Sequence, residues 1–487
     1  MEKPDHYRRG PTEKNVLCKM IFFKQHGYAD HLFTSFNKLF SAMKLVKTIL
    51  FFLIVSSVSC TQKNSNKNYK EFFSNGVLYN KTVKALNDVV LENNFPPVIA
   101  SRNYAYANIA AYECLVAGNS NYISLSGQIK HLPVMPRPDA GKEINFPLAA
   151  LLAFTKVGNA VTFPEGSMMG YYDDLKKMAD STGMPADMIQ NSVDFSDTVV
   201  ATIMKWSKKD NYAQTRTAEK FTVLNNVDGR WIPTPPIYAS ALEPHWREIR
   251  TLIIDSAAQF MPPGPPVFDV KNTNSVYFKA MMAVKKAGDS LTEEQKHIAD
   301  FWDDNPFKMN VVGHASYATK KFSPPGHWMN IVGIGAYAAH ADFATTVAAY
   351  TQTSIALFDA FISCWDEKFR SNCIRPETVI NKYVDDSWRP YIQTPPFPSY
   401  TSGHATISGA AAEVMTAWFG DKLSFSDTSL LEFGIKSRTI QSFRLAAKEA
   451  AMSRFYGGIH FHFDNEEGNK AGIKLGEFIL QRMKLKK

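Results

Sequence analysis

Cysteine is scarce, with five residues in 487, at positions 18, 60, 114, 364 and 373. The last three do not make a disulfide framework. Cys364 and Cys373 are nine positions apart on a stretch of helical pattern. A continuous helix rising ~1.5 Å per residue would hold them too far apart to pair, so all three read as packing residues. Long apolar runs are also missing. Past residue 60 nothing approaches the ~20 apolar residues of a spanning helix. Strand-like alternation is scarce and no internal repeat is present. Charge excess is small and local: the net charge is +8, and residues 1–60 hold nine Lys/Arg against four Asp/Glu, which leaves the remainder near +3. That balance excludes a nucleic-acid footprint. At 45% hydrophobic and 21% charged the chain is globular, and 487 residues exceed one ordinary core.

Most of the excess charge lies in the first 60 residues, which end in a signal. "MKLVKTILFFLIVSSVSC", Met43 to Cys60, carries Lys44 and Lys47, then an apolar run, then small residues before a cysteine. This is the form of an export signal, too short in its apolar part to span a membrane. Its ending resembles a bacterial lipoprotein signal, although Ser57 replaces the usual aliphatic residue. The resemblance implies a lipid on Cys60 as the first mature residue, and hence an exported, membrane-anchored protein on the periplasmic or cell-surface side. An ordinary secretory signal is the alternative. Met43 is the expected start, with residues 1–42 an upstream extension.

After a polar linker over 61–75, helical periodicity covers 78–118, 145–160, 186–208, 275–300, 328–366, 403–419, 428–456 and 466–486. "PPIYASALEPHW" and "MPPGPPVF" place a proline-rich joint near 232–267. The expectation is an all-α protein of two helix bundles, over 76–265 and 266–487. "GIGAYA", Gly333 to Ala338, matches a dinucleotide-binding pattern, but no strand precedes it. Close helix packing explains it better.

The chemistry gathers in the C-terminal part. In "FPSYTSGHATISG", Ser402 stands at a helix N-cap after a proline-rich loop, with Gly403 and His404 in the first turn. Unpaired N–H groups there favour an anion. Lys368 ends a helix and Arg375 follows in "KFRSNCIRP"; alone they read as a solvated helix end and a surface ion-pair partner. Arg454 precedes a glycine stop, then come His460, its competitor His462, and Asp464. Together, three cations, a capped helix N-terminus and two histidines make a complete oxyanion site, with Asp464 placed to orient His460.

K-x6-R-P (Lys368 to Pro376), P-S-x-x-S-G-H (Pro398 to His404) and S-R-x5-H-x3-D (Ser453 to Asp464) resemble the superfamily of type 2 phosphatidic acid phosphatases and vanadium-dependent haloperoxidases. The resemblance implies that Lys368, Arg375 and Arg454 hold the equatorial oxygens of a vanadate or phosphoryl group, completed by Ser402 and the Gly403 N–H. It implies that His460 bonds vanadium, or attacks phosphorus in a phosphatase, and that His404 is the acid–base residue. Four features favour the haloperoxidase branch: the lack of spanning helices, the chain length, Trp365 and Phe397 at positions similar to a halide pocket, and "ADFWDDNP" followed by "PPGHW". Asp303 or Asp304 from that stretch is expected to support Arg454 or His404, with the choice open and surface or capping roles equally open. The implied cofactor is vanadate and the implied substrates are hydrogen peroxide and a halide, iodide or bromide. The alternatives are an exported acid phosphatase acting on phosphoesters through phosphohistidine, and a non-catalytic surface lipoprotein. A relic would be expected to have lost a cradle residue, and none is missing.

Overall fold

The structure is a computed structural model that describes residues 68–312 and 314–487. The leader, the signal, Cys60 and the linker up to Lys67 lie outside the described residues. Fifteen α-helices and two short antiparallel ladders make up the described chain. They are α1 (Tyr69–Phe73), α2 (Gly76–Glu92), α3 (Pro97–Ala117), α4 (Phe146–Val161), α5 (Met169–Ser181), α6 (Ala186–Ser207), α7 (Tyr212–Thr215), α8 (Val276–Asp289), α9 (Glu293–Phe301), β1 (Lys308–Val312), β2 (Ala315–Thr319), α10 (Pro324–Ala338), α11 (Phe343–Ser371), α12 (Pro376–Tyr383), α13 (Gly403–Phe419), β3 (Phe425–Asp427), β4 (Arg438–Ile440), α14 (Phe443–Tyr456) and α15 (His462–Arg482). β1 pairs with β2 and β3 with β4. The all-α expectation holds, and no described helix is long and apolar enough to cross a membrane.

Several expected helices are shorter or divided. The 78–118 segment breaks after Glu92, because Pro96 and Pro97 supply no N–H to continue it, and Pro97 instead opens α3. The 275–300 segment breaks at Ser290, and Thr292 with Gln295 restarts it as a capping box. The 328–366 segment divides at 339–342, where Asp342 caps α11 by accepting from the Thr345 N–H. Residues 428–442 are not α-helical: a 3-10 turn at Leu431–Phe433, closed by Gly434 at φ 75°, joins β3 to β4, and α14 starts only at Phe443. Helices α1, which lies inside the expected linker, α5, α7 and α12 were not anticipated.

α11 is a central helix of the described residues. Nearly every residue from Thr346 to Lys368 is buried, and its neighbours include α3, α13 and the 3-10 turn Trp246–Glu248. One apolar core runs from Phe73 to Leu485 and includes residues on both sides of the 232–267 joint. That joint is pinned to α11 by Asp359, whose carboxylate accepts the N–H groups of Leu252, Ile253 and Ile254. "GIGAYA" lies inside α10. A Cβ on Gly333 would meet the Tyr350 hydroxyl at 2.5 Å, and one on Gly335 would meet the Phe443 ring at 2.9 Å, so these glycines serve helix packing. The three described cysteines are free and buried, and Cys373 lies beyond the end of α11.

The closest seam positions the site. α13 and α15 pack backbone to backbone, and a Cβ on Gly472 would sit 2.0 Å from the Thr406 carbonyl oxygen. At the top of this seam the Ser402 N–H donates to the Asp464 carbonyl at 3.0 Å. Gly472→Ala is expected to force the two helices apart, costing about 1–3 kcal/mol or more. A thermal midpoint equal to that of the parent protein would refute this account of the seam.

Candidate active site

Several chain segments converge on one cavity of about 340 Å³, whose wall includes Asp303, Asp304, Trp365, Phe397, Gly403, His404, Arg454 and His460. Lys368 and Arg375 lie fully buried beside it. Local sequence explains each placement. Ser402 caps α13, its hydroxyl accepting from the Ala405 N–H, so the N–H groups of Gly403 and His404 have no helical partner. Arg454 lies in the last turn of α14, and Gly458 at φ 76° turns the chain back towards His460. His460 and Asp464 are four apart at the start of α15, and His460 Nδ1 lies 2.8 Å from Asp464 Oδ2. That contact puts the proton on Nδ1 and leaves Nε2 unprotonated, an acceptor for Arg375 Nη1. Burial first, and then Arg375, Lys368 and Arg454, hold the His460 imidazole well below its ordinary pKa, which keeps it neutral.

The cations are held by carbonyl groups. Lys368 Nζ donates to the Pro398 and Ser399 carbonyls at 2.8 and 2.9 Å, which leaves one of its three protons. Arg375 donates through Nε to the Phe397 carbonyl and through Nη1 to the Ile459 carbonyl, and Nη1 lies 3.1 Å from His460 Nε2. Arg454 Nη1 donates to the Trp302 carbonyl. Arg375 Nη2 and Arg454 Nε are buried with no partner. Orphaned guanidinium donors of this kind are costly unless an anion meets them. Together with the N-terminus of α13 and the unprotonated His460 Nε2, they fit a tetrahedral oxyanion bonded to one imidazole. A Cβ on Gly403 would come within 3.6 Å of Trp365, so the bare backbone also keeps that approach open.

His404 is neutral in this setting. Burial and then Arg454 push it down to about 4, against the opposing pull of Asp304 and Asp303. The open choice between the two aspartates is resolved by their roles. Asp304 Oδ2 lies 3.5 Å from His404 Nε2. Asp303 instead turns its carboxylate to Lys321, at 3.3 Å, while its backbone carbonyl lies 3.4 Å from Arg454 Nη1. Trp365 and Phe397 pack with ring centroids 4.9 Å apart, and Lys368 Nζ and the Arg375 guanidinium lie 5.0 and 4.9 Å from the Phe397 centroid. The competitor His462 is not part of the cavity wall; it stacks on Phe455 at 3.7 Å.

Sequence reasoning missed three polar residues. Ser399 donates to Asp464 Oδ2, a role hidden in the same P-S-x-x-S-G-H motif. His327 bonds Asp304 and Asp427. His327 stands in "PPGHW", but a lone histidine there gives no sign of its partners, and Asp427 gives none at all.

A helical fold with these donors turned on one small cavity, beside two neutral imidazoles, has the chemistry of an oxyanion-binding site. A family model, the VCPO second helical-bundle domain, matches residues 348–486. The crystal structure of the first bacterial vanadium-dependent iodoperoxidase is 43% identical, with a TM-score of 0.79, over 83% of this chain and 96% of that one. Holo and apo structures of a bacterial vanadium-dependent chloroperoxidase share the fold at 17% identity and a TM-score of 0.61, over 80% of this chain and 93% and 96% of theirs. No curated protein matches the chain. The chain belongs to the vanadium-dependent haloperoxidases. It is a peroxidase whose cofactor is vanadate and whose substrates are hydrogen peroxide and a halide.

Proposed function

We propose that this protein oxidises iodide most readily, with bromide as the next substrate, and yields hypohalous acid. The observation that carries the reading is the pair of orphaned guanidinium donors, Arg375 Nη2 and Arg454 Nε, in a site that also holds the unprotonated His460 Nε2. The 43% identical relative is itself an iodoperoxidase. Bound vanadate supplies a Lewis acid that activates hydrogen peroxide without changing the metal's oxidation state. The protein's share is geometric and electrostatic. His460 Nε2 would bond the metal, and Asp464 and Ser399 hold its ring. Arg375, Arg454, Ser402 and the Gly403 N–H carry the oxyanion charge. Lys368 offers its remaining proton to peroxide. His404 would move protons from its place on the cavity wall, with Asp304 behind it. Trp365 and Phe397, with two cations on the Phe397 ring, make an apolar and electropositive seat for a large, weakly hydrated halide.

The test is purification, vanadate reconstitution, and parallel assays of iodide, bromide and phosphoester turnover. Iodide oxidation dependent on vanadate and peroxide is the expected result. If the loaded protein oxidises no halide while the vanadate-free protein hydrolyses phosphoesters through phospho-His460, the phosphatase alternative replaces this reading.

We also propose that the mature protein begins at Cys60, lipidated and anchored on the outer side of a membrane. The order of Lys44, Lys47, the apolar run and the small residues before Cys60 supports this. Several acyl chains, at ~0.8 kcal/mol per buried CH₂, hold a protein on a bilayer where one does not. Mass spectrometry of the native N-terminus is expected to find a lipidated Cys60. An unmodified N-terminus further along the chain would refute it.

A further inference from the structure

Behind His404 lies a buried chain of groups that takes no direct part in holding the oxyanion. His327, in the first turns of α10, has 0% exposure, and so does Asp427 in β3; Asp304 follows α9 and is 2% exposed. His327 Nδ1 lies 2.8 Å from Asp304 Oδ1, and its Nε2 lies 2.9 Å from Asp427 Oδ2. A carboxylate only accepts hydrogen bonds, and a neutral imidazole has one N–H. Two such contacts therefore require either an imidazolium or a protonated acid. The surroundings select the imidazolium. Asp427 Oδ1 accepts from both the N–H and the hydroxyl of Ser429, so this acid is surrounded by donors. The free oxygen of Asp304 faces His404. The Trp302 ring stacks on His327 at 4.7 Å and 29°, a face suited to a cation.

We propose that His327 is a permanently protonated positioning residue which, clamped between Asp304 and Asp427, keeps Asp304 anionic and aimed at the acid–base residue His404. Burial alone would lower the His327 pKa, but the two carboxylates outweigh it and push it up to about 10. Burial likewise acts to raise Asp304, and His327 with His404 overcomes it to hold the carboxyl below its ordinary range. The N-terminal end of α10 disfavours a cation, so both acids are needed. The other charged groups facing the cluster are Arg454 from α14 and Asp303, which pairs with Lys321. Rotation of the Asp304 carboxylate is fixed because one oxygen is taken by His327, which leaves the other for His404. A residue supporting a functional imidazole in this way typically matters ~10–100-fold.

The first measurement uses the vanadate-free wild type. Nitrogen NMR of histidine-labelled protein, with His327 assigned through its contact to the Trp302 ring, should show both ring nitrogens protonated from about pH 5 to about pH 9. A His327 ring that loses its proton within that range overturns the proposal, whatever any variant does. The second uses vanadate-loaded His327→Gln. Without the cation, one of two buried carboxylates takes up a proton, and an Asp304 carboxyl so raised is protonated at low pH and ionises as pH rises. The halide-oxidation kcat should therefore fall ~10–100-fold near neutral pH, with the deficit largest in acid and shrinking as pH rises. Vanadate affinity and the KM for peroxide should change little. A deficit equal at every pH means a packing role only and overturns the proposal. The activity arm rests on the haloperoxidase reading, but the NMR arm does not. A wild type that oxidises no halide strikes that reading, whereas a titrating His327 strikes this one.

Discussion

His460→Ala is expected to lose vanadate-dependent halide oxidation to background while the protein stays folded. Nε2 is the unprotonated nitrogen of His460, because Nδ1 faces Asp464 at 2.8 Å, and Arg375 Nη1 lies 3.1 Å from Nε2. The alanine variant retains the cations and the N-terminus of α13, so an oxyanion can still enter, but nothing fixes the metal. Asp464 keeps two other donors, the Ser399 hydroxyl and the Phe461 N–H, so its buried carboxylate is not left bare. Calorimetric titration with vanadate should show a sharp loss of affinity, and thermal unfolding should show a small change. Added imidazole, filling the vacated space, should restore part of both binding and turnover. Wild-type turnover in His460→Ala would remove His460 from the metal-binding role.

Lys368→Met should produce the second large effect, ~10²–10³ in kcat, the usual consequence of removing one preorganised donor. Methionine keeps the packing between Trp365 and Phe397 and removes only the charge and the protons. The Pro398 and Ser399 carbonyls lose their donor, so a stability cost of roughly 1–3 kcal/mol for each unsatisfied group accompanies the kinetic one. Vanadate should still bind, through Arg375, Arg454 and His460, so kcat should fall much further than the affinity for vanadate. The wild-type lysine also predicts a pH dependence. Burial pushes its ammonium down, Cys364 and Asp464 oppose this, and Arg375 adds to it. The protonated form is the one that attracts an anion. Vanadate affinity is therefore full while free Lys368 is charged and declines as pH rises through its lowered pKa. In Lys368→Met that decline should vanish. Turnover within tenfold of wild type in Lys368→Met would refute the assignment of peroxide activation to this residue.

The three motifs were legible because each is a local device. A serine cap before Gly403, an arginine ahead of a glycine stop and a histidine four residues from an aspartate depend on neighbours within a turn or two. Their spacing therefore carries the anion cradle in the order of residues alone. The all-helical class was legible for the same reason, since apolar periodicity is read within a few turns. Helix ends were less so. The pattern runs on through Pro96 and across 428–442, and only the backbone shows that it stops.

Relations between distant segments belonged to the tertiary structure. Asp303 and Asp304 are adjacent in sequence and chemically alike, and the fold alone turns one towards His404 and the other towards Lys321. His327 and Asp427 are 100 positions apart and meet at 2.9 Å because α10 and β3 pack on the same core. Ser399 reaches Asp464 across 65 positions for a similar reason, through the α13–α15 seam. The sequence alone determined which residues can form the cradle, because caps, turns and charges act over a few residues. The tertiary structure decided which groups hold those residues in place, because a buried hydrogen bond joins whatever side chains core packing brings within ~3 Å, however far apart they lie along the chain.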